Sequence, residues 1–207
     1  MSSSTDVIKT FETYKIVPVV VFNTEEEVRP TLKAMSDGGM KIAEITFRTP
    51  VAPDALRIAV NEFPNMLIGA GTVINKVQAE TAVDIGAKFI VSPGFSEEIA
   101  DFCTQKGLPY FGGCVTPTEI MTAVSHGCEV IKFFPCANYG GLKTMKALSA
   151  AFPSIRFMPT GGINGDNLSE YLVWDKIVAV GGSWMMKGTP DEIREKCAKA
   201  IKTANGI

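Results

Sequence analysis

Val130-Ile131-Lys132-Phe133-Phe134-Pro135 is a run that reads as a buried strand except for the lysine at its centre. Side chains alternate across a strand, so Val130, Lys132 and Phe134 share one face, and Ile131 and Phe133 the other. Neither face offers Lys132 a charged neighbour within the run. Desolvation disfavours the ammonium and lowers its pKa, and a neutral amine near pH 7 can attack a carbonyl. A buried lysine paired to a carboxylate for purely structural reasons produces the same pattern. The run alone leaves both roles open.

The run is one of eight of its kind, at residues 16–22, 42–47, 66–72, 89–94, 109–115, 130–135, 156–162 and 178–184. Their starts recur every 20 to 26 residues. Helical periodicity fills the intervals, at 25–36, 52–63, 76–85, 97–106, 118–125, 142–151 and 165–173, and a last helix is expected at 191–203. An amphipathic segment at 5–14 precedes the repeat. Thr116-Pro117-Thr118-Glu119 and Thr189-Pro190-Asp191-Glu192 each place Thr at a cap, Pro in the first turn and Glu three residues on. Gly38-Gly39, Gly86, Gly107 and Gly127 sit where the preceding helices should stop. Eight strand–helix units with continuous apolar strands imply a parallel sheet covered by helices, and eight close naturally into a (β/α)8 TIM barrel with an extra N-terminal helix. No linker or composition shift divides the chain, so residues 1–207 are expected to form one domain. A doubly wound open sheet is the competitor. It is disfavoured because Gly69-Ala70-Gly71-Thr72 is followed by Ile at position 74, which spoils the nearest approach to a dinucleotide-binding turn.

With 207 residues, 46% of them hydrophobic, the chain can bury one sizeable core. A net charge of -2 without a basic block argues against a nucleic-acid partner. Met1-Ser2-Ser3-Ser4-Thr5-Asp6 lacks the basic and apolar regions of a signal peptide, and no apolar run reaches membrane-spanning length, so a soluble, cytoplasmic protein is expected. Cysteines 103, 114, 128, 136 and 197 are scattered and form no Cys-x-x-Cys pair; they read as reduced packing residues. Asn167-Leu168-Ser169 matches a glycosylation sequon but carries no meaning in a cytosolic chain. The single histidine, His126, lies at an expected helix C-terminus, where it favours the helix dipole. One histidine excludes most catalytic triads and a histidine-rich metal site. Chemistry must run on lysine, carboxylates and backbone, with no metal and no cofactor expected.

In a barrel, function belongs at the C-terminal ends of the strands. Ile42-Ala43-Glu44-Ile45-Thr46-Phe47-Arg48 puts Glu44, Thr46 and Arg48 on one face. That spacing places an acid/base group about 13 Å deeper along the strand than an arginine able to clamp a carboxylate. Glu44 could equally be a plain counter-ion for Lys132, and Arg48 a rim residue. The third run ends at Thr72 and the fourth at Ser92-Pro93-Gly94, small polar groups suited to ligand contact or to turns. The seventh and eighth end in Thr160-Gly161-Gly162 and Gly181-Gly182-Ser183. Paired glycines let backbone N–H groups converge on an anion, and barrels commonly hold phosphate after their last two strands. No Walker lysine accompanies them, so a small phosphorylated metabolite is a better fit than a nucleotide.

Together these segments resemble the 2-keto-3-deoxy-6-phosphogluconate (KDPG) aldolases, class I enzymes that also act on 4-hydroxy-2-oxoglutarate. The resemblance runs over nearly the whole chain. It is carried by Glu44-Ile45-Thr46-Phe47-Arg48-Thr49, Gly69-Ala70-Gly71-Thr72-Val73 and Val91-Ser92-Pro93-Gly94, then by Thr116-Pro117-Thr118-Glu119 and Lys132-Phe133-Phe134-Pro135. Pro159-Thr160-Gly161-Gly162-Ile163 and Gly181-Gly182-Ser183 complete it. It implies that Lys132 forms a Schiff base with a 2-keto acid and that Glu44 is the general acid/base. It implies that Arg48 and Thr72 hold the pyruvyl carboxylate, that Pro93 and Phe134 pack about the ketone, and that Gly161, Gly162, Gly182 and Ser183 hold phosphate. Thr160 resembles the gluconate-type enzymes, and Phe111-Gly112-Gly113 departs from the Pro-Gly frequent in the family. A homotrimer is implied as well. Two competing functions use the same residues: a phosphosugar isomerase or epimerase without a covalent intermediate, and a non-catalytic phosphometabolite-binding module. Neither needs the Arg48–Thr72 pair.

Overall fold

The computed structural model describes residues 4–206; Met1, Ser2 and Ser3, on which the reading of the N-terminus partly rests, lie outside the described residues. An initial helix α1 (Ser4–Tyr14) leads into β1 (Ile16–Val20), and strands and helices then alternate. They are α2 (Val28–Asp37), β2 (Ile42–Thr46), α3 (Ala52–Glu62), β3 (Leu67–Gly71), α4 (Lys76–Ile85), β4 (Ile90–Val91), α5 (Glu97–Lys106), β5 (Tyr110–Phe111) and α6 (Pro117–Ser125). The chain continues through β6 (Val130–Phe133), α7 (Gly141–Ala151), β7 (Arg156–Pro159), α8 (Leu168–Leu172), β8 (Val180–Gly182) and α9 (Pro190–Ala204). Pairing is parallel throughout, in a curled six-stranded sheet of order β5-β4-β3-β2-β1-β8 and a two-stranded sheet of β6 and β7. Isolated parallel bridges lie between them, Gly113 with Lys132 and Thr160 with Gly181. The fold is α/β with helices covering a curled parallel sheet.

Two apolar clusters follow from the alternation of side chains. Ala43, Ile45, Ile131 and Phe133 face the helices, packed with Leu32, Leu56, Ile120 and Leu148. Ile42, Val91, Phe111, Val130 and Met158 point to the other face, where Val7, Ile8 and Phe11 of α1 join them. Burying each such side chain contributes about 1.5–3 kcal/mol. The Phe11 ring sits 5.1 Å from that of Phe89, edge to face, and 5.0 Å from that of Phe111. The segment outside the repeat therefore closes the end of the sheet where the strands begin.

Both anticipated capping boxes are present, Thr116 with Glu119 and Thr189 with Glu192. Gly86 and Gly107 end α4 and α5 in the left-handed conformation. Four elements depart from their periodicity. The helix expected from residue 25 begins as a 3-10 turn (Glu25–Glu27), because Pro30 has no N–H to extend a regular helix back through it. The helix expected from residue 165 begins only at Leu168. Asn164 N–H donates to Asn167 Oδ1 and Asp166 N–H to Asn164 Oδ1, local bonds that replace helical ones. Strands β4 and β5 are two residues each, although pairing continues past β5 as Lys132 N–H donates to Gly112 O and Cys114 N–H to Lys132 O.

Candidate active site

Register brings the charged residues together. Strands β2 and β3 align Glu44 with Gly69 and Thr46 with Gly71, and Glu44 points to the enclosed face that it shares with Ile42. Lys132 reaches the same face from β6. Its Nζ lies 3.8 Å from Glu44 Oε1, and the two residues are 2% and 0% exposed. That separation is an ion-pair distance but too long for a hydrogen bond. Among the described residues neither Glu44 oxygen has a hydrogen-bond partner. A buried carboxylate without hydrogen bonds is costly, about 1–3 kcal/mol or more, so such groups mark places where a site serves something other than stability.

Burial pushes the Lys132 ammonium below its ordinary value; Glu44 opposes that shift, and Arg48 adds to it. The amine also sits 5.1 Å from the centroid of the Phe134 ring. Gly71 makes room for the acid: a Cβ there would lie 2.0 Å from Glu44 Oε1. Periodicity did not single out Gly71; the usable signal is a glycine inside a strand beside one that carries a buried charge.

Arg48 and Thr72 meet directly, with Arg48 Nε donating to Thr72 Oγ1 at 2.9 Å. Thr72 has φ of 55°, a left-handed conformation that is an outlier for a β-branched residue and costs on the order of 1–3 kcal/mol. Pro93 is half-buried at the end of β4, and its carbonyl approaches Gly113 so closely that a Cβ there would lie 2.0 Å away. Gly113 bridges Lys132, which places Pro93 on the lysine's flank.

Thr160 is 6% exposed and abuts Gly181, where a Cβ would lie 2.2 Å from Thr160 Oγ1. The Thr160–Gly181 bridge thereby brings both glycine pairs side by side. Gly161 and Gly162 have φ of 94° and 81°, backbone that L side chains rarely adopt. Phe134 lines the path from lysine to glycines: a Cβ on Gly161 would contact its ring at 3.4 Å. Ser183 is exposed beside them. Trp184, not anticipated, packs over Gly182, and a Cβ there would lie 2.1 Å from its ring.

The remaining candidates fall elsewhere. Cys136 is fully buried with its Sγ 3.8 Å from the Tyr171 hydroxyl, in the packing role read for the cysteines. His126 caps α6, where its Nδ1 lies 2.9 Å from Thr122 O and its Nε2 faces Glu97 and Asp101. A cleft of about 470 Å3 beside it opens where β5 and β6 begin and touches neither Lys132 nor Glu44. The chemistry therefore belongs to the opposite end.

Residues 7–202 match the family model for KDPG and KHG aldolase. The chain is 39% identical over 180 residues to the 2-dehydro-3-deoxy-phosphogluconate aldolase of Treponema pallidum, covering 87% of this chain and 86% of that one. It is 35% identical over 195 residues to the KHG/KDPG aldolase of Escherichia coli, covering 91% and 92%. Its fold superposes with a TM-score of 0.90, at 37% identity, on KDPG aldolase from Legionella pneumophila, over 93% of this chain and 97% of that one. That structure holds pyruvate captured as a covalent carbinolamine intermediate. The chain belongs to the KDPG and KHG aldolase family.

Proposed function

We propose that this protein is a class I aldolase that cleaves 2-keto-3-deoxy-6-phosphogluconate to pyruvate and glyceraldehyde 3-phosphate, and 4-hydroxy-2-oxoglutarate to pyruvate and glyoxylate. The observation that carries this reading is Lys132, driven toward its neutral form by burial and 3.8 Å from the otherwise unpartnered carboxylate of Glu44. Lys132 Nζ adds to the C2 carbonyl, and the carbinolamine loses water to give an iminium. Glu44 takes the proton of the C4 hydroxyl as the C3–C4 bond breaks, and the bonding pair moves into the enamine. Glyceraldehyde 3-phosphate leaves. Protonation of the enamine at C3 and hydrolysis of the iminium then release pyruvate and restore the amine.

Arg48 and Thr72 hold the carboxylate, and Pro93 and Phe134 enclose the ketone end. Gly161, Gly162, Gly182 and Ser183 bind the phosphate with Thr160 beneath them, which the consecutive left-handed glycines support. The two sheets form one closed (β/α)8 barrel and one domain. Supporting this are the Gly113–Lys132 and Thr160–Gly181 bridges and the Lys132–Glu44 contact across the enclosed face. The protein works as a cytoplasmic homotrimer. Its five unpaired cysteines suit a reducing compartment, and exposed Ile74, Val77 and Met121 supply apolar surface for association. No helix among the described residues is long and apolar enough to cross a membrane.

The test is pyruvate release from 2-keto-3-deoxy-6-phosphogluconate. Glu44→Gln should lower kcat by about 10²–10⁴-fold and Lys132→Ala by at least as much. Turnover by Lys132→Ala within tenfold of wild type would overturn the covalent reading, and an absence of pyruvate release from the wild type would favour the isomerase.

A further inference from the structure

The strained residue of the site needs something to hold it. Thr72 is the one β-branched residue with positive φ among the described residues, and that conformation turns its hydroxyl toward Arg48. Its two neighbours are pinned from either side: Phe47 N–H donates to Gly71 O at 2.7 Å, and Val73 N–H donates to Val91 O at 3.2 Å. The Val73 carbonyl lies past the end of β3 and is fully buried. Its donor is a side chain, Ser92 Oγ, at 2.5 Å. The end of β4 offers no substitute, because the Ser92 N–H is committed to Phe111 O at 3.1 Å and Pro93 has no N–H. Ser92 is 2% exposed, so bulk water does not replace the hydroxyl.

We propose that Ser92 is a positioning residue of the carboxylate clamp, fixing Val73 so that Thr72 stays left-handed and meets Arg48. This rests on the reading of Arg48 and Thr72 as the pair that binds the substrate carboxylate. Without the Ser92 hydroxyl, Val73 turns its carbonyl to find another partner and Thr72 relaxes to an ordinary φ. Oγ1 then leaves Arg48, whose guanidinium loses its anchor at the rim. The lysine and Glu44 are untouched, so the chemical step should persist while the grip on the carboxylate end weakens.

The experiment titrates the full-length protein with pyruvate under borohydride and reads the half-saturating concentration by intact mass. Inhibition of turnover by inorganic phosphate serves as an independent readout of the opposite end of the site. Ser92→Ala should raise half-saturating pyruvate about tenfold, as expected for one buried hydrogen bond, with the trapping rate at saturation within about threefold. Phosphate inhibition should not change. On an Arg48→Ala background, Ser92→Ala should add less than about twofold, because both act on one contact. Should Ser92→Ala not fold, Ser92→Cys, similar in size but a weaker donor, should give an intermediate rise at an unchanged Tm. An unaltered pyruvate requirement in the Ser92 variants, or losses that multiply on the Arg48→Ala background, would overturn the positioning role. If Arg48→Ala itself leaves the pyruvate requirement unaltered, the clamp reading fails and the proposal fails with it.

Discussion

Lys132 combines two properties that usually exclude each other, a charged residue type and a 2% exposed position. Burial is the dominant influence on it and favours the neutral amine, so the nucleophilic fraction near neutral pH exceeds that of a free lysine. The sign gives a prediction. The rate of pyruvate trapping should rise with pH through the lowered Lys132 value and level off below 10.5, the ordinary value for lysine. A rate that climbs steadily to pH 10.5 would mean an exposed, unperturbed amine. Much at this scale was legible beforehand. The alternation of Val130-Ile131-Lys132-Phe133 placed the lysine with Val130 and opposite Ile131 and Phe133, and the structure puts Val130 in one cluster and Ile131 and Phe133 in the other. The need for Gly71 was not legible, because it arises from the Glu44 side chain leaning onto the neighbouring strand.

Elements followed the sequence best where a local signal governs them. Helices α4 and α5 have the expected bounds, with Asn75 and Ser96 side chains at their N-caps and glycines at their ends. Strands are shorter than their apolar runs, because the last residues of each run leave the ladder to line the site. Thr72 and Ser92 are instances; the side chain of each is spent on a contact past the strand ends, Thr72 with Arg48 and Ser92 with the Val73 carbonyl. The division of 25–36 and the late start of α8 depended on Pro30 and on the side chains of Asn164 and Asn167, which hydrophobic periodicity does not weigh. Helix α1 supplies the prediction at this scale. Its Phe11 is fully buried against Phe89 and Phe111 at the end remote from Lys132. Phe11→Ala should destabilise the protein by about 3–5 kcal/mol in chemical denaturation, while turnover below the unfolding transition stays near wild type. A loss under 1 kcal/mol would show that α1 does not close the core.

Across the whole molecule, the decisive relation joins residues 88 positions apart, Glu44 on β2 and Lys132 on β6. No spacing rule predicts a contact over that distance. It becomes legible only through the eightfold repeat, which curls the sheet until strands far apart in sequence face one another. The same curvature brings Thr160-Gly161-Gly162 beside Gly181-Gly182 and leaves Phe134 between the lysine and those glycines. On the proposed reading, the carboxylate clamp, the ketone with its lysine and the phosphate loops follow one another across the site. The covalent bond at the lysine is the central claim. Its most direct measurement is peptide-level mass after pyruvate and borohydride treatment of the wild type and Lys132→Ala. The account predicts one reduced pyruvyl adduct, on Lys132 of the wild type, and none on the variant. An adduct on another lysine, or none at saturating pyruvate, would contradict it.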